Sequence, residues 1–154
     1  MFKKLLATPN SPALTVVRVT LGAVIFAHGA QKALGWFGGG GPSGTIGFFD
    51  QALGIPAVLT VGVIAAEFLG GLGLIVGALG RVAAAAVIAV MLGAVALVHF
   101  QNGFFMDWSG QQAGQGFEFH LLVIAMAFAV VLRGSGALSI DRVLVRDEAV
   151  GGGR

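Results

Sequence analysis

The sequence predicts an all-α membrane protein: an antiparallel four-transmembrane-helix bundle with two longer outer loops and a short cytoplasmic C-terminal amphipathic helix. Three observations carry this. First, the 154 residues are 56% hydrophobic and only 10% charged, and the mean hydropathy is +0.92. A soluble domain carries about 25% charged residues, and so few charges cannot cover a small soluble surface without large apolar patches. Disorder is excluded by the same numbers. Second, four segments approach the roughly 20 apolar residues that a spanning helix needs. Third, the basic residues segregate to one side of those segments, with Lys32 near the outer end of the first as the exception.

The spans are read at residues 13–34, 57–79, 82–100 and 116–132 of a single domain covering 1–154. Pro12 suits the first turn of the first span, with Ser11 as its cap. Pro56 stands before the second. The third runs without charge from Val82 to Val98, and the fourth is barely long enough. The Gly38–Gly44 stretch reads as a loop, because glycine and proline interrupt helices. Thr45–Leu53 then reads as a short interfacial helix capped by Ser43 or Thr45. Gly80-Arg81 reads as the turn between the second and third spans. A second long loop, Gln101–Gln115, carries Phe104, Phe105, Met106 and Trp108, which suit a membrane interface. Gly134-Ser135-Gly136 ends the fourth span. Ala137–Glu148 follows as an amphipathic helix, and residues 149–154 read as a frayed tail.

Four spans place both termini on one side. Lys3, Lys4, Arg81, Arg133, Arg142, Arg146 and Arg154 assign that side to the cytoplasm of a bacterial inner membrane. The two outer loops hold Asp50 and Asp107 and no lysine or arginine. Small residues let membrane helices approach closely, which gives Gly70, Gly73 and Gly77 a packing role. Arg18 and Arg81 read as structural, Arg18 as an anchor snorkelling to the inner interface.

The remaining ionisable residues converge in depth. At 1.5 Å per residue, Arg18 falls roughly 6–8 Å above the cytoplasmic end of its helix, His28 roughly 21 Å and Lys32 roughly 27 Å. Glu67 falls at roughly 18 Å, His99 at roughly 26 Å, and Glu118 and His120 at roughly 18–21 Å. Six groups thus share a layer in the outer half of the bilayer, where charge is costly and tends to mark function. His28 and Lys32 share a helix face, whereas Glu118 and His120 do not. Proton-handling roles fall to His28 and Glu67. Lys32 is the attractor of an oxygen, and His99, Glu118 and His120 complete a substrate pocket. The plainer reading of Glu67 is a pair with Lys32 or His28 that ties helices together.

Zero cysteines exclude disulfides, thiolate catalysis and iron–sulfur ligation. No metal-ligand spacing such as HExxH occurs, so no metal site is expected. A haem held by His28 and His120 lacks a local motif. A quinone head group between helices, lined by Phe26, Phe68, Phe117 and Phe119, suits the residues better. No basic patch interleaved with aromatics points to nucleic acid.

The ordered motifs resemble the DoxX family of small bacterial inner-membrane proteins. They are Arg18-x-x-x-Gly22 and His28-Gly29-x-x-Lys32, then Glu67-x-x-Gly70-Gly71 leading to Gly80-Arg81. Met91, His99 and Gly103-Phe104-Phe105 follow, with Gly116-x-Glu118 and Gly134-x-Gly136-x-x-Ser139-x-Asp141 beyond them. The resemblance implies a four-helix membrane fold and association with quinone-linked oxidoreductase or oxidative-stress systems. It points to Arg18, His28, Lys32, Glu67, His99 and Glu118. The lipid bilayer, a redox partner protein and a second copy of the chain are the expected partners. The reading leaves open whether the chain is an enzyme or an accessory subunit. A scaffold that recruits a redox partner and a small-molecule transporter are the alternatives.

Overall fold

The structure, a computed structural model, describes residues 2–151. Among them every regular element is helical. A short α1 (Phe2–Leu6) precedes α2 (Pro12–Leu34), α3 (Gly41–Leu53), α4 (Ala57–Val76) and α5 (Gly80–Ala94). The helical path of α5 continues through a π-turn at Val95–His99 and a 3-10 turn to Asn102. After a long loop come α6 (Glu118–Arg133) and α7 (Ile140–Gly151). Three stretches, Pro12–Leu34, Ala57–Val76 and Gly80–Asn102, are long and apolar enough to cross a membrane. Helix α6 has 16 residues and spans roughly 24 Å, short of the hydrocarbon thickness.

Local chemistry sets the helix ends. Ser11 caps α2: its hydroxyl accepts from Leu14 N at 3.3 Å, and Pro12 occupies the first turn. Gly35, in the left-handed region, closes the other end. Several expected boundaries move. Helix α3 starts at Gly41 rather than after the glycine run. Pro42 lies in its first turn, where an N–H is not needed, and Gly41 takes a φ of 63°. Neither Ser43 nor Thr45 caps it. The turn between α4 and α5 is Gly77-Ala78-Leu79, not Gly80-Arg81, because Gly77 at φ 71° ends α4 early. Helix α6 starts at Glu118 rather than 116. Gly116, Phe117 and Glu118 donate backbone bonds to the carbonyls of Phe105, Gly103 and Phe104, which hold the preceding chain in the loop. Helix α7 starts at Ile140 rather than Ala137, since Gly136 and Leu138 are left-handed. Of the expected tail, residues 149–151 continue α7 and 152–154 lie outside the described residues.

Helix α2 lies along α4, α4 against α5, α5 against α6, and α6 meets α2 again. At their junction Leu21, Ile25, Leu74, Val87, Val123 and Val130 form a small apolar core. The outer faces are also apolar, with Val58, Leu59, Val61, Leu69, Leu122 and Leu132 exposed. Helix α3 packs on α2 and α4 at one end. At the other, α1 meets α5 and α7.

The α2–α4 contact is the closest. A Cβ on Gly29 would strike the backbone of Phe68, and one on Gly71 would sit 2.5 Å from Phe26 N. Gly22 is equally confined, its Cβ position 2.8 Å from Ile75 N. The packing glycines are therefore Gly22, Gly29 and Gly71. A Cβ on Gly70 would make only ordinary contact with α5, 3.8 Å from Ala83 O, and one on Gly73 would lie 3.1 Å from Ala78 O. Gly77 ends a helix instead of joining two.

Arg18 is fully buried rather than snorkelling to an interface. Its Nε donates to Ser135 O at 2.7 Å, one Nη to Leu74 O and Ile75 O, and the other to Leu138 O at 3.1 Å. These carbonyls include the last-turn carbonyls of α4, which lack helical partners. Beside it, Asp141 accepts from Leu79 N, Gly80 N and Ser135 Oγ at 2.7, 3.0 and 2.6 Å. Arg81 reaches Val131 O and Ala7 O.

Gly29→Ala and Gly71→Ala are expected to lower the thermal unfolding midpoint in detergent, each by the equivalent of about 1–3 kcal/mol. Gly62→Ala, where a Cβ meets open space, is expected to leave it unchanged. Asp141→Ala strands Leu79 N and Gly80 N and is expected to cost about 1.5–3 kcal/mol in the same measurement.

Candidate functional site

The close approach of α2 and α4 decides what stands at their shared face. Lys32, one turn after His28 and near the end of α2, meets Glu67 in the middle of α4. Lys32 Nζ lies 2.6 Å from Glu67 Oε2, with Glu67 buried and Lys32 partly open. Lys32 Nζ also reaches His28 O at 3.4 Å. The ammonium group thus uses two of its three hydrogens. His28 is on the exposed side of α2, within electrostatic reach of both members of the pair.

A second cluster lies between α5 and α6. The His99 and His120 rings have centroids 4.1 Å apart. His99 Nδ1 donates to Gln115 O at 2.8 Å, which leaves its Nε2 the acceptor in the neutral ring. His120 is 6% exposed, and its buried Nδ1 has no hydrogen-bond partner. The π-turn ends at His99. Such a turn holds an extra residue and rotates the side chains beyond it. Phe119 links the clusters, its ring 6.0 Å from His28 and 5.6 Å from His120.

Of the six residues predicted in one layer, five therefore form this chain of neighbours. Glu118 does not join them. It turns to the long loop and accepts from Met106 N and Trp108 Nε1, both at 3.1 Å. That fits its two-residue offset from His120, which puts the two on different faces. The four phenylalanines expected around one ligand also disperse. Phe26 stacks on Phe68 at 5.2 Å, while Phe117 stacks with Phe100 and meets Phe104. Among the described residues, no group of three or more His, Cys, Asp or Glu is arranged to hold a metal.

The sequence reading missed an open cleft beside Lys32. Its volume is about 360 Å³, and Lys32, Gly40, Gly44, Thr45, Phe48 and Phe49 line it. Phe48 and Phe49 were legible only as the apolar side of an interfacial helix. Nothing in the linear order places that helix over Lys32.

Three span-length apolar helices with lipid-suited outer faces, and an ion pair turned inward between two of them, define an integral membrane protein. A family model described as DoxX matches residues 13–100, more than half of the chain, and the chain belongs to the DoxX family. The matched stretch contains Arg18, His28, Lys32, Glu67 and His99 and stops before α6. Comparison with curated proteins and with solved structures finds no match.

Removing one partner of the Lys32–Glu67 pair leaves a charge stranded beside apolar surface. Glu67→Leu alone is expected to lower the unfolding midpoint more than the double variant Lys32→Leu/Glu67→Leu. A double-mutant cycle on thermal unfolding reads this directly, and additive losses would show the pair to be uncoupled.

Proposed function

We propose that the protein is an inner-membrane component of a quinone-linked oxidoreductase or oxidative-stress system. In this reading α6 is a fourth span, so α2, α4, α5 and α6 form an antiparallel four-span bundle. Both termini are cytoplasmic, which the basic residues Lys3, Lys4, Arg81, Arg133 and Arg142 support. The polar layer then lies in the outer half of the bilayer.

The observation that carries the reading is the Lys32–Glu67 ion pair at 2.6 Å on span-length helices. An ion pair at that depth is costly to keep and tends to serve a function. Reducing a quinone to a quinol consumes two electrons and two protons. The chain contains no cysteine, hence no thiol redox couple or iron–sulfur ligands, and the reading assigns the electrons to a partner protein or its substrate. This chain's share is to hold the head group and to supply protons. Lys32 offers a hydrogen-bond donor to a quinone oxygen. Glu67 and His28 exchange protons beside it, and His99 and His120 extend the route toward the loop side of the bundle.

A second reading has its own support. Glu67 is closed on Lys32, as an internal tie in a non-catalytic scaffold subunit would be. Quinone reduction in native membranes separates the two. Under the first reading, Glu67→Gln and His28→Ala lower the rate at least tenfold per folded molecule. Under the second, Glu67→Gln lowers the unfolding midpoint and leaves that rate intact. Unchanged rates in both variants, with no quinone co-purifying from membranes, overturn the quinone reading.

A further inference from the structure

The cleft between α2 and α3 has three properties that together describe a ligand. The first is a spare donor. Lys32 lines the cleft, and its ammonium group has one hydrogen left after Glu67 and His28. The second is Thr45. It is 8% exposed and lines the cleft, yet its hydroxyl has no hydrogen-bond partner among the described residues. That hydroxyl is not among the sealed polar atoms of the protein, and the residue that carries it lines the cleft. An unsatisfied group in an apolar setting costs free energy that a ligand oxygen would recover. The third is shape. Gly40 and Gly44 bring no side chains, Phe48 is 60% exposed, and the volume of about 360 Å³ suits one ring with its substituents.

We propose that this cleft seats the head group of a lipid-soluble quinone, with a carbonyl oxygen accepting from Lys32 Nζ and Thr45 Oγ1 and the ring against Phe48. The assignment rests on the quinone reading above and gives that reading a location. It places the ring under α3 and not among Phe26, Phe68, Phe117 and Phe119, whose rings already pack on other phenylalanines or on histidines. A carbonyl suits the donor pair better than a free anion does. Glu67 already neutralises Lys32, so the site offers hydrogen bonds without net positive charge. The open face of Phe48 gives the hydrophobic tail a way out to lipid.

An azido-quinone photolabel on the full chain in lipid nanodiscs, mapped by peptide mass spectrometry, tests this. Label is expected within residues 41–53, displaced by a decyl-tailed ubiquinone analogue. Thr45→Val is expected to weaken that competitor about threefold to tenfold, the loss of one hydrogen bond, without moving the unfolding midpoint. Thr45→Ser is expected to keep wild-type affinity, and Phe48→Ala to weaken it. Saturable label elsewhere, or wild-type affinity in both Thr45→Val and Phe48→Ala, overturns this location and leaves the quinone reading standing. Absence of any saturable label in the wild type overturns both.

Discussion

The buried guanidinium of Arg18 is the fixed point of the molecule. A single side chain on α2 holds the last turn of α4 through Leu74 and Ile75 and the α6–α7 connection through Ser135 and Leu138. Charged donors on carbonyls are stronger than neutral ones, and in lipid those carbonyls would have no water to turn to. Asp141 completes the arrangement by capping the α4–α5 turn. Two leucines adjacent to the clasp, Leu79 at φ 50° and Leu138 at φ 48°, are held left-handed. Such conformations persist only where their surroundings over-determine them. Gly77 admits no side chain beside Ser139 and Arg18. The terminal end of the bundle is therefore rigid by construction.

The opposite end depends on that rigidity. With α2 and α4 pinned at one end and drawn together by Gly22, Gly29 and Gly71, the far end of α2 brings Lys32 onto Glu67 in the middle of α4. The ion pair follows from glycine packing a turn or so away. Helix α3 then lies beside Lys32, and its Gly44, Thr45, Phe48 and Phe49 line the cleft. Packing and site are one geometry, because a bulkier residue at Gly29 would separate Lys32 from Glu67 as surely as it would separate the helices.

Much of this was legible in the sequence, and the failures have physical reasons. Three of the four expected spans follow from apolar length, and the Ser11-Pro12 start follows from capping chemistry. Depth arithmetic brought His28, Lys32, Glu67, His99 and His120 into one layer, because helical rise is constant. Arg18 was misread because depth says nothing of rotation, and rotation turns it into the bundle. Rotation also separates Glu118 from His120. The glycine roles were confused because spacing alone does not distinguish Gly71, which touches a neighbouring backbone, from Gly73, which faces a turn. The cleft was invisible because it arises from a helix folding back over a residue nine positions before its own start.

The Lys32–Glu67 pair has an electrical consequence. Its two charges cancel, so the site presents a dipole and no net charge to the membrane. A transmembrane voltage works on net charge, at about 2.3 kcal/mol per elementary charge for each 100 mV. The pair as a whole is therefore not driven along the field, and a voltage acts on it only through its dipole.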